Sequence, residues 1–354
     1  MQNLKKIHGA EPLKSSPNFS KYVVNAEKVI FAGYHSRINE CSNSSQHGST
    51  KLIARVFKPS SELTADAMYL KLLRRIGKDV AGIVQSMDIF VDTDSKEIWL
   101  FQELANAGNG NVWVGMGNVL IESQLFNLVK AVYAALDFLG SLGCCHFSIH
   151  PKHIMLFKDD KGNVTGKLSS FRDAIVYWDA EKKEIIYQKC LPADKFTQRG
   201  WFRAPEVFGK EDEVFNPLDA DIFSLGATLF YMATATYPFA LKSVATVGID
   251  GEIRNSIASA AGISDNAKYF LFGLMRANTK VRTNFDAIPQ DPFFNPQLDV
   301  SGNEQQQPQQ AQAAPEKSEE KKPDAGTPGA KEPSPVKKTD PTEKPKSGSS
   351  SPKG

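Results

Sequence analysis

The densest group of side chains with possible chemical roles lies near the middle of the chain. Cys144, Cys145, His146, His150 and His153 fall within one short segment. Imidazole and thiolate groups at this density would suit a zinc site, which needs three or four ligands held by further hydrogen bonds. The adjacent cysteines lack metal-ligand spacing, and no organised base accompanies them as it would a cysteine nucleophile. We therefore interpret the cysteines as reduced, buried thiols and the histidines as structural residues.

The same segment has an apolar frame of definite order. It reads His146-Phe147-Ser148-Ile149-His150-Pro151-Lys152-His153-Ile154-Met155-Leu156. It resembles the catalytic loop of eukaryotic protein kinases, His-Arg-Asp-Leu-Lys-Pro-Glu-Asn-Ile-Leu-Leu. The resemblance implies that Ser148 replaces the aspartate that accepts the substrate proton, and that His153 replaces an asparagine ligand of magnesium. A serine hydroxyl is not a base at neutral pH, and a neutral imidazole prefers softer metals than magnesium.

Two further replacements in this loop affect phosphate binding. In the family frame, His150 stands at the lysine that steadies the transferred phosphate. Phe147 replaces the arginine that grips a phosphorylated activation segment in many kinases. Without a guanidinium at that position a phosphothreonine gains no bidentate partner, so Thr197 is not expected to be an activating site.

The second metal-binding motif of kinases, Asp-Phe-Gly, resembles Ser170-Phe171-Arg172 in this chain. Ser170 lacks the carboxylate that would hold magnesium, which requires hard, charged oxygen ligands. Asp173 is the only acid nearby, and a shift of register that used it would misplace Phe171. The resemblance therefore implies that both metal ligands have been lost.

The nucleotide-binding elements that the resemblance implies are partly retained. Of the three glycines in the family's phosphate-binding hairpin, Gly33 alone is present. Ile30 and Ile38 offer apolar surfaces where adenine would be sandwiched. Gln102 falls at the back of the adenine site and needs a hydrogen-bond partner there. We favour the other interpretation, an ordinary hairpin whose pocket is collapsed or filled by side chains.

A lysine and the hinge complete this expected nucleotide site. Lys58 matches the lysine that contacts the α- and β-phosphates. Its usual partner is a glutamate on the next helix, but the leucine spacing places Tyr69 there, and a shift of one turn places Asp66 there. Glu103 and Ala105 provide the hinge backbone that faces an adenine edge.

In contrast, the residues that fold the larger lobe of a kinase are present. The segment Phe202-Arg203-Ala204-Pro205-Glu206 resembles the Ala-Pro-Glu motif, and Arg282 matches its arginine partner. Asp221 matches the aspartate that binds backbone amides of the catalytic loop, which begins at His146. The resemblance implies a buried Glu206–Arg282 ion pair and an Asp221 cap on that loop.

Composition limits the broad class of protein. The chain has 354 residues, of which 41% are hydrophobic, enough for a sizeable core. Its formal net charge of +2 gives no reason to expect nucleic-acid or membrane partners. No apolar run is long enough to cross a bilayer, and the first residues lack a secretion signal. Reduced cysteines are typical of the cytoplasm, where we expect the protein, with the nucleus as the alternative.

Composition also changes along the chain. We expect four segments: a flexible N-terminus at 1–18, a small lobe at 19–104, a large lobe at 105–294 and a disordered tail at 295–354. From Ser301 onwards, aliphatic and aromatic residues are nearly absent, so burial cannot offset the entropy of ordering. In this tail Thr327, Ser334 and Ser351 precede prolines and look like substrates of proline-directed kinases. The alternative is a solubilising linker.

Apolar periodicity predicts strands first and helices afterwards. Strands are expected at Lys51–Lys58, Ile89–Val91 and Ile98–Phe101, and helices at Leu63–Ile76, Leu125–Leu139, Asp221–Thr234 and Asn266–Ala277. With the resemblance, this order predicts an α+β, bilobal protein-kinase-like fold. It has a small β-rich N-lobe with one helix, a larger α-helical C-lobe and a disordered C-terminal tail.

The joint replacements at Ser148, His153 and Ser170 predict a pseudokinase, with no catalytic residue, no metal and no cofactor. We expect a scaffold or regulator of signalling proteins that binds other proteins, for example an active kinase or its substrate. The alternatives are a residual or atypical ATP-dependent serine/threonine kinase and a nucleotide-binding switch without catalysis. ATP bound without magnesium belongs to the last of these.

Overall fold

The small lobe is built on one five-stranded antiparallel sheet. Its strands are β1 (Tyr22–Ala32), β2 (Ser36–Asn43), β3 (Lys51–Phe57), β4 (Ser86–Val91) and β5 (Ile98–Glu103). Their order in the sheet is β1-β2-β3-β5-β4. The predicted strands are confirmed, and β5 continues as far as Glu103.

A computed structural model describes residues 21–33, 36–43, 51–58, 80–92, 95–192, 198–240 and 248–297. The predicted helix at 63–76, with Tyr69 and Asp66, lies outside these residues. So do the N-terminus at 1–18, Thr197 and the tail beyond residue 297 with its proposed phosphorylation sites.

The two faces of the sheet carry different apolar clusters, because side chains alternate along a strand. The outer face carries a cluster of its own: Tyr22, Cys41, Leu52, Ala54 and Phe101. The opposite face contributes to the core that continues into the large lobe: Phe57, Ile98 and Leu100. We call this second face the cleft face. The burial of β3 on both faces explains its nearly continuous apolar sequence.

The register of the sheet determines which residues share the cleft face. Arg55 on β3 pairs with Ile38 on β2 and with Leu100 on β5. On β1, Phe31 pairs with Ile38, and a bulge takes the preceding residue, Ile30, out of the pairing. Residues directly opposite one another point to the same side of a sheet. Phe31, Ile38 and Arg55 therefore lie in a row on the cleft face.

The large lobe is mainly helical. Its helices are α1 (Gly110–Gly115), α2 (Glu122–Ser141), α3 (Pro217–Thr234), α4 (Ile249–Ser259) and α5 (Asp265–Leu274). The predicted helices within α2 and α3 are confirmed, whereas α5 ends earlier than the predicted Ala277. Within the described ranges, no helix combines the length and the hydropathy needed to cross a membrane.

Short strands hold the loops of the candidate site. The strand β6 (Cys144–Cys145) pairs with β9 (Ile175–Val176), and β7 (Ile154–Lys158) pairs with β8 (Val164–Leu168). The loop at 146–153 runs from β6 to β7, and the segment at 169–174 follows β8. The two strand pairs therefore place both ends of the loop at 146–153 beside the ends of the segment at 169–174.

Further short elements complete the large lobe. The remaining strands are β10 (Trp178–Asp179), β11 (Glu184–Ile185), β12 (Gln188–Lys189) and β13 (Val214–Phe215). Short 3-10 helices occur at Pro151–His153, Phe171–Asp173, Gln198–Phe202, Pro205–Val207 and Phe285–Gln290.

Backbone contacts join the two lobes where β4 approaches β8. The N–H of Leu168 donates to the carbonyl of Gly82 at 2.7 Å, and the N–H of Val84 donates to the carbonyl of Leu168 at 2.9 Å. A Cβ atom at Gly82 would lie 1.7 Å from the carbonyl oxygen of Ala131 in α2, and Gly82 has a φ of +78°. Glycine is therefore required at this junction.

Candidate functional site

Asp221 in α3 holds the start of the loop at 146–153. Its carboxylate accepts hydrogen bonds from the N–H groups of His146 at 2.6 Å and Phe147 at 2.8 Å. Burial raises the pKa of Asp221 to about 7, while these two N–H groups and the charge of Arg203 favour the ionised form. The contact expected for Asp221 from the sequence is thus present.

His146 is a buried, neutral histidine that joins the two loops. Its Nε2–H donates to the carbonyl of Ser169 at 2.9 Å, and its Nδ1 accepts from the N–H of Ser148 at 3.3 Å. Burial and the neighbouring His153 lower the pKa of His146 to about 3. The ring also packs edge-on against Phe171, with centroids 5.3 Å apart. These contacts give His146 a structural role.

Ser148 and His153 contact each other through the backbone. Ser148 is 7% exposed, and its carbonyl accepts a hydrogen bond from Nδ1 of His153 at 2.8 Å. The ring of His153 lies 3.9 Å, centroid to centroid, from that of His150. In the part of the chain that the structure describes, no three His, Cys, Asp or Glu side chains are grouped so as to hold a metal ion.

Ser170 has an unusual backbone conformation. Its φ of +67° and ψ of +64° lie in the left-handed region, which non-glycine residues seldom adopt. The turn directs Phe171 into the core, where it is 1% exposed. Arg172 is exposed and Asp173 is half-buried. This turn therefore presents the hydroxyl group of Ser170 where the family has a carboxylate.

These positions do not fit a magnesium–nucleotide complex. Ser148 and Ser170 supply hydroxyl groups, and His153 supplies an imidazole whose Nδ1 is already bonded to a carbonyl. Magnesium requires octahedral coordination by hard oxygen ligands, usually one or two carboxylates with water and phosphate. The donor set of the site therefore disagrees with the metal that the fold family implies.

The structure differs from the expectation for Lys58 and Ile30. Lys58 follows the end of β3 and is exposed, whereas Phe57 faces the cleft side and is 6% exposed within the core. Ile30 is 52% exposed at the bulge, and Phe31 is the residue that pairs with Ile38. Strand register explains both differences, because side chains one residue apart along a strand point to opposite faces of the sheet.

The one retained glycine of the hairpin contacts a side chain. The N–H of Gly33 donates to the carbonyl of Ser36 at 2.9 Å. A Cβ atom at Gly33 would lie 2.8 Å from two carbon atoms of the Phe31 ring. The aromatic ring therefore covers the backbone where a phosphate grip would need open N–H groups.

The hinge is held by its own polar contacts. The Glu103 carboxylate accepts from Nζ of Lys167 in β8 at 2.7 Å and from the N–H of Gln85 at 2.6 Å. The amide of Gln102 donates to Oγ of Ser86 at 3.2 Å, which provides the partner that Gln102 needs. The carbonyl of Ala105 accepts from Gly108 at 3.1 Å. Sequence analysis did not anticipate the bridge from Glu103 to Lys167.

A buried ion pair supports the large lobe. Arg282 donates to Glu206 through Nη1 at 2.5 Å and Nη2 at 2.9 Å. The same guanidinium donates to the carbonyls of Asp219 at 2.8 Å and Arg276 at 2.7 Å. The Arg282 side chain is 1% exposed. The Glu206–Arg282 contact expected from the sequence is thus present.

Phe147 makes aromatic contacts instead of phosphate contacts. Its ring stacks on Phe215 with centroids 5.8 Å apart, and the guanidinium of Arg203 lies 5.3 Å from its centroid. Cation–π contacts of this kind contribute about 0.5–1 kcal/mol at exposed sites and more when desolvated. The combination of Phe147 with an arginine before the Ala-Pro-Glu motif was a sequence signal for this contact.

A two-lobed α+β architecture with an intact large-lobe scaffold defines the class of protein. The sequence matches the protein kinase domain family over residues 25–294. The chain therefore belongs to the protein kinase domain family.

Its relatives are kinases of low sequence identity. The chain is 21% identical to calcium/calmodulin-dependent protein kinase cmkB of Emericella nidulans over 280 residues, 77% of this chain and 66% of that protein. It is 30% identical to inhibitor of nuclear factor kappa-B kinase subunit epsilon of Mus musculus over 124 residues, 34% of this chain and 16% of that protein.

A third relative is serine/threonine-protein kinase 16 of Homo sapiens, 26% identical over 123 residues, 35% of this chain and 39% of that protein. The matched part spans less than two thirds of each of these three relatives.

Proposed function

We propose that this chain is a pseudokinase, an inactive protein kinase domain that acts by binding other proteins. The observation that supports the proposal is a contrast between two sets of residues. The contacts that fold the large lobe, from Asp221 to two amides and from Arg282 to Glu206, are intact. Ser148 and Ser170 supply no carboxylate where the chemistry needs one, and His153 replaces the asparagine that binds magnesium in the family.

Phosphoryl transfer depends on positioning and on electrostatic stabilisation by metal ions and a lysine. Ser148 cannot act as the base, a role that contributes about 100- to 10,000-fold in typical enzymes. In place of the family's magnesium ligands, His153 offers a softer nitrogen and Ser170 an uncharged hydroxyl group. Lys58 is exposed beyond the end of β3, and Phe57 is the residue that faces the cleft at this end of the strand.

The proposed role is that of a scaffold or regulator in signalling, with an active kinase or its substrate as the partner. The relatives are named as kinases or a kinase subunit, which supports a role in signalling. We propose the cytoplasm as its location, and the four cysteines, all buried with free thiols, support a reducing compartment.

A phosphotransfer assay tests the proposal. The purified full-length chain is incubated with labelled ATP and magnesium or manganese, alone and with a general protein substrate. We expect the same label as in a Lys58→Ala, Asp173→Asn double variant purified in parallel. Incorporation by the wild-type chain that disappears in the double variant would overturn the proposal. An active kinase in the same buffer confirms that the assay detects transfer.

A further inference from the structure

An arginine lies in the middle of the cleft face. Arg55 is on β3, the central strand, and is flanked by Ile38 on β2 and Leu100 on β5. Residues opposite one another in antiparallel strands have Cβ atoms about 4.5–5.5 Å apart. Arg55 is therefore the immediate neighbour of Ile38, the residue that the sequence assigns to the adenine-binding surface.

The Arg55 side chain is packed into the lobe. The residue is only partly exposed, and its Nε atom is buried without a hydrogen-bond partner among the described residues. Arg37 on β2 provides the contrast, because it points to the outer face. There it forms an ion pair with Glu97 at 3.3 Å and lies 5.5 Å from the Trp99 ring.

The neighbours of Arg55 on the cleft face are also large. Phe31 pairs with Ile38 at the next strand, and Phe57 lies two residues further along β3. A purine base binds by lying flat against a smooth apolar surface, such as a small or branched aliphatic side chain provides. The partly buried Arg55 side chain occupies that volume, so a base could lie there only by displacing it.

We infer that Arg55 fills the adenine site and keeps adenine nucleotides out of the cleft. The inference deepens the proposed function, on which it rests, because it assigns a second and independent cause of inactivity to the same cleft. The missing metal ligands prevent the chemistry, and Arg55 prevents binding of the base. One side chain, rather than general collapse of the cleft, carries this exclusion.

Thermal unfolding with added nucleotide tests the inference. ATP, ADP and adenosine are titrated to millimolar concentration, each with EDTA and with magnesium. For the wild-type full-length chain we expect no concentration-dependent rise in Tm. For Arg55→Ala we expect a rise that follows the logarithm of ligand concentration, as specific binding requires. The affinity of Arg55→Ala should exceed that of the wild-type chain by at least about tenfold, a free-energy difference of about 1.4 kcal/mol.

Two variants control for position and volume. Arg37→Ala removes an arginine from the outer face of the same sheet and should gain no nucleotide binding. Arg55→Met keeps a long side chain without the charge and should not bind nucleotide. Valine is favoured in strands, so Arg55→Val provides a second variant with a shorter side chain if Arg55→Ala does not fold.

Three results would overturn the inference. They are nucleotide binding by the wild-type chain, nucleotide binding by Arg55→Met equal to that of Arg55→Ala, and no binding by folded Arg55→Ala and Arg55→Val. Each is distinct from failure of the proposed function, which would appear as phosphotransfer by the wild-type chain. Binding without transfer would leave the pseudokinase proposal standing and remove only the role of Arg55.

Discussion

Arg282 and Glu206 are 76 residues apart in sequence and form a bidentate ion pair within the large lobe. The pair joins the short 3-10 helix at Pro205–Val207 to the segment that follows α5. Hydrogen bonds from Arg282 to two backbone carbonyls complete the site. A network of this kind stabilises the large lobe through contacts between protein groups.

Removal of Arg282 should strongly destabilise the protein. Arg282→Ala leaves the Glu206 carboxylate partly buried without its partner, and loss of one member of a buried pair typically costs about 3–5 kcal/mol. Urea unfolding followed by circular dichroism measures the free energy of unfolding. The control is Lys182→Ala, from the pair with Glu184 whose side chains are 68% and 59% exposed.

We expect the control to change the free energy of unfolding by no more than about 0.5 kcal/mol. Equal effects of Arg282→Ala and Lys182→Ala would contradict a structural role for the buried pair.

The buried His146 should make stability depend on pH. Its pKa is about 3 in the folded state and about 6.5 when unfolded, so only the unfolded state takes up the proton between these values. Stability from this group is therefore fully present above pH 6.5 and is lost as pH falls towards 3. The slope is at most about 1.4 kcal/mol per pH unit for one proton.

Asp221 contributes with the opposite sign. Its pKa is raised from 3.8 to about 7, so its contribution to stability falls as pH rises through that window. The two effects overlap, and His146→Phe separates them, because phenylalanine keeps a ring against Phe171 but does not titrate. The wild type should lose stability relative to the variant as pH falls from about 7 to about 4. The unfolding free energy of the wild type minus that of the variant should therefore become less positive or more negative. Parallel curves for the two proteins would refute the assignment.

Restoring the family's arginine beside the catalytic loop should be harmful. Phe147→Arg would bring a second guanidinium next to Arg203, which now lies 5.3 Å from the Phe147 ring. It would also remove the stacking on Phe215. We expect a loss of about 1–3 kcal/mol in urea unfolding from charge repulsion and lost packing. Phe147→Tyr keeps the ring and should cost about 1 kcal/mol or less. A stabilised Phe147→Arg would show that this site accepts the family residue.

The sequence predicts those contacts in which both partners lie in family motifs. Asp221, Glu206 and Arg282 each lie in a segment with several residues that match the family motifs, so the sequence alone predicts their contacts. The helices α2 and α3 were predicted because their apolar residues recur at a helical period. The early end of α5 at Leu274 reflects the weaker pattern that follows it.

The cleft face was harder to predict because register is a property of the paired strands. Leu52 to Phe57 is apolar on both faces, apart from Arg55, so no alternation shows which side each residue takes. The bulge beside Ile30 shifts Phe31 into the pairing and has no clear signature in the sequence. Lys58 matches the family motif in sequence. In the structure β3 ends at Phe57, so Lys58 lies outside the sheet.

The central claim is that the cleft cannot hold a divalent cation for phosphotransfer. Electron paramagnetic resonance of Mn²⁺ tests it directly, because the signal of the hydrated ion falls when the ion binds protein. We expect that adding the chain to Mn²⁺ does not lower the signal of the hydrated ion. With ADP present, the chain should cause no loss of signal beyond the loss that ADP causes alone. Saturable loss of signal at one ion per chain, with ADP present and abolished in Asp173→Asn, would contradict the account.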